Sequence, residues 1–585
     1  MKDTPFRGAA VSALGAVTAA ALVLTLAPDA PAQPAPPAGI RENPARWHAL
    51  VGATVIPAPG ERIENATVVI RDGVIVSVRG GGAPPEGARV WDYTGMTIYP
   101  GLIEPHLPVS APAPDEDDPG NHWNAKVTPQ RAALDGAGPK KGDREKLVKM
   151  GFTAAAIAPD SGIFRGSAGV VLLNDPDETT AGHGLTVVRD GAYQEIALER
   201  GGFGRPASYP GSEMGAIALV RQTFLDTAWR EGTLAAYKAN PAGMEPPAPA
   251  DALDALIPAA SRWTYLFDAG DELEAVRAAK IAREFGLTAA ILGSGTEFRR
   301  LDDVVSTGLP IILPLAFPKT PTVDTIADQN DVTLRDLMTW EQAPTNPRRL
   351  LAAGATVALT TDKLPKGQKF EDNLRSAIRH GLSEDDALAM LTTTPAAMLG
   401  VGDRLGRVAP GFIANLVVVA DGGLFDKGSE IRDVWVEGDR HEINEAPGLD
   451  PSGQWAVAFT EGGETHTGTM TIKDKTKITF DFEDHQGVKA RKADLNDNRL
   501  SFLLDGEDLD LSGVFAVTGV IRDGVITGVW KDPAGAVHTW RADLSSPTAN
   551  GGDDSSKKKD DEEDEPADVP EALPTPFGAY GFLSL

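Results

Sequence analysis

The chain has 585 residues, 42% of them hydrophobic, enough to bury large cores and to fold as more than one domain. Its 83 acidic against 55 basic residues give a formal net charge of -28, which repels nucleic acid and anionic membrane surfaces and sets nucleic acid aside as a partner. With no cysteine there can be no disulfide, thiolate metal site or Cys nucleophile, so any metal must be held by His, Asp, Glu or a modified Lys.

Residues 1–32 read as an export signal: Lys2 and Arg7 precede an uncharged run from Gly8 to Ala27, and Ala30-Pro31-Ala32 offers a small-residue cleavage site. This predicts a periplasmic or extracellular protein, with an uncleaved single-helix membrane anchor as the alternative reading of the same run. A Pro/Ala linker follows over 33–46. Short β-runs dominate 47–98, where Asp72-Gly73 between Ala66-Thr-Val-Val-Ile70 and Val74-Ile-Val-Ser-Val78 is a hairpin signal.

Over 99–403, apolar β-type runs alternate with helical stretches, the pattern of βα units around a parallel barrel. The runs include Phe152–Ile157, Ala168–Leu173, Thr288–Leu292, Leu309–Leu313 and Ala355–Thr360. The clearest helix spans Asp271 to Phe285, with Leu273, Val276, Ile281 and Phe285 on one broad face and Gly286 as its stop. Ser383 ahead of an apolar stretch marks another helix start. The Pro/Ala/Gly-rich piece from Asn240 to Pro258 is expected to be a loop or insertion. The earlier β style returns at Gly411–Ala420 and Ile431–Gly438.

Residues 449–545 alternate as meander strands with Gly and Asp turns, predicting a separate antiparallel β-domain with Trp455 and Trp540 as core plugs. The charged stretch over 546–573 cannot bury a core and is expected to be disordered. The apolar tail over 574–585 is suited to docking on the body or on a partner.

The stretch Ile98-Tyr-Pro-Gly-Leu-Ile-Glu-Pro-His-Leu-Pro108 resembles the first barrel strand of the amidohydrolase superfamily, in its imidazolonepropionase-like and prolidase-like branch. That strand ends in Pro-Gly-Leu-Ile-Asp-x-His-x-His. Here Glu104 takes the Asp place, His106 the first His, and Pro108 stands where the second is expected. Two histidines at i and i+2 on a strand share a face and can clamp one divalent ion, whereas proline offers no lone pair. Leu351-Ala-Ala-Gly-Ala-Thr-Val-Ala-Leu-Thr-Thr-Asp362 resembles the final strand, and Thr394–Gly400 with Gly406–Val418 resemble the closing helix and return strand, Asn415 replacing a usual Asp.

The resemblance covers about residues 47–441 and implies a distorted (β/α)8 TIM barrel over 99–403. Beside it the resemblance implies a composite β-sandwich made from 47–98 and 404–441. It further implies metal ligands: paired histidines, a bridging carbamylated Lys or Glu, a His on each of two later strands, and an Asp after the last strand. Asp362 stands at that last place, where it would bind metal and take the proton of the attacking water. Asp268 stands where the first later His is expected, and the next strand offers only Gly293 and Ser294. The barrel histidines are His106, His122, His183 and His380, none paired at ligand spacing.

These substitutions predict a degenerate metal site. His106, Asp268 and Asp362 are the candidate ligands for at most one zinc or manganese ion at the barrel mouth. Asp362 is the candidate general base, or else a strand-end carboxylate capping a turn. In the loop after the first strand, His122, Trp123 and Asn124 could line a small-molecule pocket or anchor a surface loop on Trp123. Three readings follow. The protein binds or scaffolds through a decayed site, with a second, intact amidohydrolase as one possible partner. Alternatively, it hydrolyses a C–N bond in a cyclic amide or dipeptide-like substrate with one metal, or the β-domain carries the function as a binding module.

Overall fold

A computed structural model of the chain describes residues 47–176, 182–198, 209–262, 264–420, 422–444, 451–461, 464–474, 477–496, 499–522 and 524–547. The export signal, the Pro/Ala linker, the charged stretch from 548 onward and the apolar tail lie outside them. The chain divides into two compact units, one ending at residue 445 and the other beginning at 446.

The first unit contains two sheets. One joins the strands before the barrel to those after it. Its order runs β16 (Asp439–Glu442), β15 (Ile431–Val436), β14 (Leu416–Val419), β5 (Thr97–Pro100), β1 (Trp47–Val55), β2 (Ile63–Arg71), β3 (Val74–Gly80), with β4 (Arg89–Asp92) paired to β1. The β2–β3 turn is Asp72-Gly73, with φ of 48° and 78°, the left-handed pair that matches the twist of a tight hairpin. The sheet packs on its own apolar residues, including Leu50, Val68, Ile70, Ile98 and Trp435. Within that core Asp433 accepts a hydrogen bond from the Tyr93 hydroxyl at 2.5 Å and pairs with Arg440 at 2.8 Å, so its burial is compensated.

The second sheet is the barrel: β6 (Leu102–Val109), β7 (Phe152–Pro159), β8 (Phe164–Leu172), β9 (Val187–Ala197), β10 (Thr264–Asp268), β11 (Ala289–Leu292), β12 (Ile311–Pro314) and β13 (Val357–Thr360), hydrogen-bonded in that order. Nearly every residue of β6, β7, β8, β11, β12 and β13 is buried, as in a sheet covered on both faces. The expected (β/α)8 pattern needs correction, because β8 runs antiparallel to both β7 and β9. Only residues 160–163 separate β7 from β8, and so short a link permits a hairpin but not a parallel crossover. The other pairings are parallel.

Helix α1 (Lys141–Lys149) precedes β7, while α2 (Glu213–Ala239) and α3 (Asp251–Arg262) fill the passage from β9 to β10. The expected loop over 240–258 is therefore a loop only to residue 250. Arg230, in α2, explains the change: its guanidinium grips Asp254 of α3 at 2.7 and 2.8 Å and the Ala248 carbonyl at 2.7 Å. Helix α4 (Glu272–Glu284) begins where the sequence predicts, Asp271 accepting from the backbone N–H of Leu273 and Glu274 at 2.9 and 2.8 Å.

The second unit is one antiparallel sheet. Its order is β20 (Val488–Lys489), β19 (Lys477–Phe482), β18 (Glu464–Asp474), β17 (Gly453–Glu461), β25 (Val537–Pro547), β24 (Val525–Lys531), β23 (Val514–Arg522), β22 (Arg499–Asp505), β21 (Arg491–Asn496). The first and last strands in sequence pair at its centre. Trp455 and Trp540 are buried in its core, and Trp540 stacks on Phe459 with ring centroids 5.5 Å apart.

Candidate functional site

The C-terminal end of β6 carries the first site residue. Pro105 has no N–H to give the β6–β7 ladder, and the register of that ladder shifts between Glu104 and Leu107. His106 falls inside this irregularity and is 2% exposed. Its Nδ1 lies 3.0 Å from an Asp362 oxygen, and its Nε2 lies 3.2 Å from both oxygens of Glu195 on β9.

From Glu195 the contacts continue through cations. Arg165 on β8 places Nη1 against a Glu195 oxygen and, at 3.1 Å, against Asp268 Oδ2 at the end of β10. The other oxygen of Asp268 accepts from Lys363 Nζ, which also donates to the carbonyls of Ala269 at 3.2 Å and Gly293 at 3.1 Å. Lys363 sits just past β13 in the left-handed region, with φ of 57°.

Burial alone would lower the His106 pKa, but the adjacent Glu195 charge and the hydrogen bonds to Asp362 and Glu195 raise it to about 10. At neutral pH it is therefore an imidazolium donating from both nitrogens. Burial would raise the carboxyl of Asp268, yet the Lys363 and Arg165 charges hold it below its ordinary range. Asp362 is likewise held low, chiefly by its hydrogen bond to His106 set against burial. In the cluster the basic side chains of His106, Arg165 and Lys363 alternate with the carboxyls of Glu195, Asp268 and Asp362, each in contact with at least one group of the opposite kind.

Glu104 supports this arrangement from below. It is fully buried and accepts from Thr361 N–H at 2.8 Å, His106 N–H at 3.2 Å and the Thr360 hydroxyl. Burial pushes its carboxyl up against the pull of those donors.

The three residues expected to hold a metal do converge on one end of the barrel, but with Arg165 and Lys363 among them. Both ring nitrogens of His106 face carboxylates, and both oxygens of Asp268 face cations. Among the described residues no group of three or more His, Asp or Glu side chains is arranged to hold a metal ion. The donor set does not fit a divalent ion, because each donor is already paired with a side chain of the cluster. Where the second later His was expected, Ser294 and Gly295 donate backbone N–H groups to the buried Glu297 at 2.6 and 3.2 Å, which fastens the loop after β11.

The second predicted group is braced internally. Asn124 donates to the Tyr209 carbonyl at 3.0 Å and accepts from Lys126 N–H at 3.0 Å, while His122 Nδ1 accepts from Asn124 N–H at 3.1 Å. Trp123 is 68% exposed and stacks on Tyr209 with centroids 6.1 Å apart. No described hydrogen bond connects these three residues to the His106 cluster.

Sequence reasoning missed Arg165, Glu195 and Lys363. One signal was readable: Gln194-Glu195 interrupts the apolar run of Ala192 to Leu198, and a charge inside a buried strand requires a partner.

Residues 324–441 match the family model described as the Amidohydrolase family. An imidazolonepropionase of Streptomyces griseus subsp. griseus is 27% identical over 384 residues, covering 61% of this chain and 86% of that protein. An adenine deaminase of Methanopyrus kandleri is 36% identical over 90 residues, 15% of this chain and 14% of its own. Among solved structures, an amidohydrolase from Thermotoga maritima MSB8 superposes with a TM-score of 0.54 at 23% identity, covering 67% of this chain and 98% of that one. This likeness bears on the fold.

Proposed function

We propose that this chain, which belongs to the amidohydrolase superfamily, is an exported protein that binds a small molecule or a partner at its barrel mouth and does not hydrolyse through a metal centre. One observation carries the reading. The donors that a metal would need are committed to one another: His106 to Asp362 and Glu195, and Asp268 to Arg165 and Lys363. Extracting a buried carboxylate from two cationic partners is costly, because the charge left behind is desolvated and unpaired.

The imidazolonepropionase relative supports a competing reading, hydrolysis of a C–N bond in a cyclic amide or a dipeptide-like substrate. For that chemistry Asp362, 22% exposed and held ionised, is the best-placed general base. A single metal on His106, Asp268 and Asp362 would first require His106 to release Asp362, and Asp268 to release both cations.

The test combines metal analysis with turnover. Protein purified from a zinc-supplemented culture is expected to carry no stoichiometric zinc or manganese and to leave a panel of cyclic amides and dipeptides intact. Stoichiometric metal, with hydrolysis abolished in Asp362→Asn, would establish the competing reading instead.

A further inference from the structure

We infer that Arg165 is a built-in substitute for a divalent cation, and that removing its charge would turn the barrel mouth into a zinc site. The inference rests on the metal-free reading above and deepens it. A single guanidinium nitrogen, Nη1, touches Glu195 and, at 3.1 Å, Asp268. The same Glu195 oxygen lies 3.2 Å from His106 Nε2. One positive atom therefore occupies the place at which two carboxylates meet beside an imidazole, the oxygen and nitrogen donors that zinc accepts.

The position of Arg165 in the chain makes this occupation durable. It is 7% exposed, on the one strand that runs antiparallel in the barrel. Its neighbour Gly166 has φ of 121°, and a Cβ there would lie 2.4 Å from the Arg131 carbonyl. Backbone at this point is thus packed against the loop after β6, and the guanidinium reaches the mouth from a fixed base. Lys363 satisfies the second Asp268 oxygen from the opposite direction in the chain, just beyond β13.

With Arg165 present an incoming ion must displace a guanidinium that already pairs with both carboxylates. Without it, Glu195 and Asp268 are left with one unpaired negative charge at the place where Nη1 now sits, beside His106 Nε2. At an effective dielectric constant of about 20, one unit charge about 4 Å from a divalent ion changes its affinity by several orders of magnitude on Coulomb attraction alone, so a gain of about a hundredfold is the least expected once the cost of desolvating the ion is set against it.

The test uses full-length wild type, Arg165→Met and Arg165→Lys, with zinc binding by calorimetry and thermal unfolding with and without zinc. Arg165→Met is expected to gain at least about a hundredfold in zinc affinity over wild type, the size set by that charge change. Its melting temperature is expected to fall without metal and to recover with zinc. Arg165→Lys, which keeps a cation, is expected to do neither, and adding His106→Gln to Arg165→Met is expected to cancel the gain. An Arg165→Met protein that shows no zinc-dependent recovery, or no more than wild type shows, overturns the inference. Zinc already present in wild type would instead defeat the proposed function, so the two failures are distinguishable.

Discussion

His106 on the first barrel strand and Asp362 just past the last meet at 3.0 Å, joined across 256 positions of sequence. The described ladders connect β6 only to β7 and β13 only to β12, so the barrel closes between β6 and β13 through side chains. Thr360 and Thr361 reach Glu104, and Asp362 reaches His106. The seam and the candidate site are therefore one structure.

Glu104→Ala should lower the unfolding free energy of this unit by about 3 kcal/mol, because it leaves buried donors without an acceptor at the seam. Urea unfolding checks this. A loss within experimental error would mean that the seam is held elsewhere.

The raised pKa of His106 carries a pH signature. A group whose pKa is higher in the folded state contributes its full stabilisation below its unfolded value, near 6.5, and loses it as pH climbs through about 10. Stability is expected to fall across that window, and His106→Gln should flatten the fall. Melting temperatures at a series of pH values for the two proteins provide the comparison. Asp268 and Asp362, both held low, act in the opposite direction and lose their contribution in acid.

Arg230→Met should loosen α3. The substitution removes a bidentate pair with Asp254 and the donor to Ala248, at a cost of about 1 to 3 kcal/mol for a partly buried charged hydrogen bond. Hydrogen exchange should speed up over 251–262 and leave α4 unchanged. Equal exchange in both proteins would contradict the role given to Arg230.

How much of this was legible beforehand depended on the range of the interaction. The Asp72-Gly73 hairpin, the helix starting at Asp271 and the buried Trp455 and Trp540 are local patterns, and each appears where its residues suggest. The antiparallel β8 was not legible from periodicity, since a buried strand reads the same in either direction. The composition of 240–258 suggested a loop because the stabilising Arg230 lies outside that window. At the site, His106, Asp268 and Asp362 were visible as candidate ligands, but the cations that engage them were not. Arg165 and Lys363 occur in no motif, and only the fold brings them to Asp268.

In the second unit, Trp540→Ala should cost about 3 to 5 kcal/mol, the usual range for truncating a large buried aromatic. It also removes the hydrogen bond to the Thr518 carbonyl at 2.8 Å. Gly528→Ala should be damaging too, because a Cβ there would lie 1.9 Å from that carbonyl oxygen. Denaturant unfolding of both variants, followed by fluorescence, tests the packing, and wild-type midpoints would argue against it.

The central claim is that the barrel mouth is neutralised by its own side chains. Its most direct test is anomalous diffraction at the zinc edge from crystals of the wild-type protein grown with zinc. The account predicts no anomalous peak in the cluster and an Arg165 guanidinium between Glu195 and Asp268. A zinc ion coordinated by His106, with Arg165 displaced from both carboxylates, would contradict it.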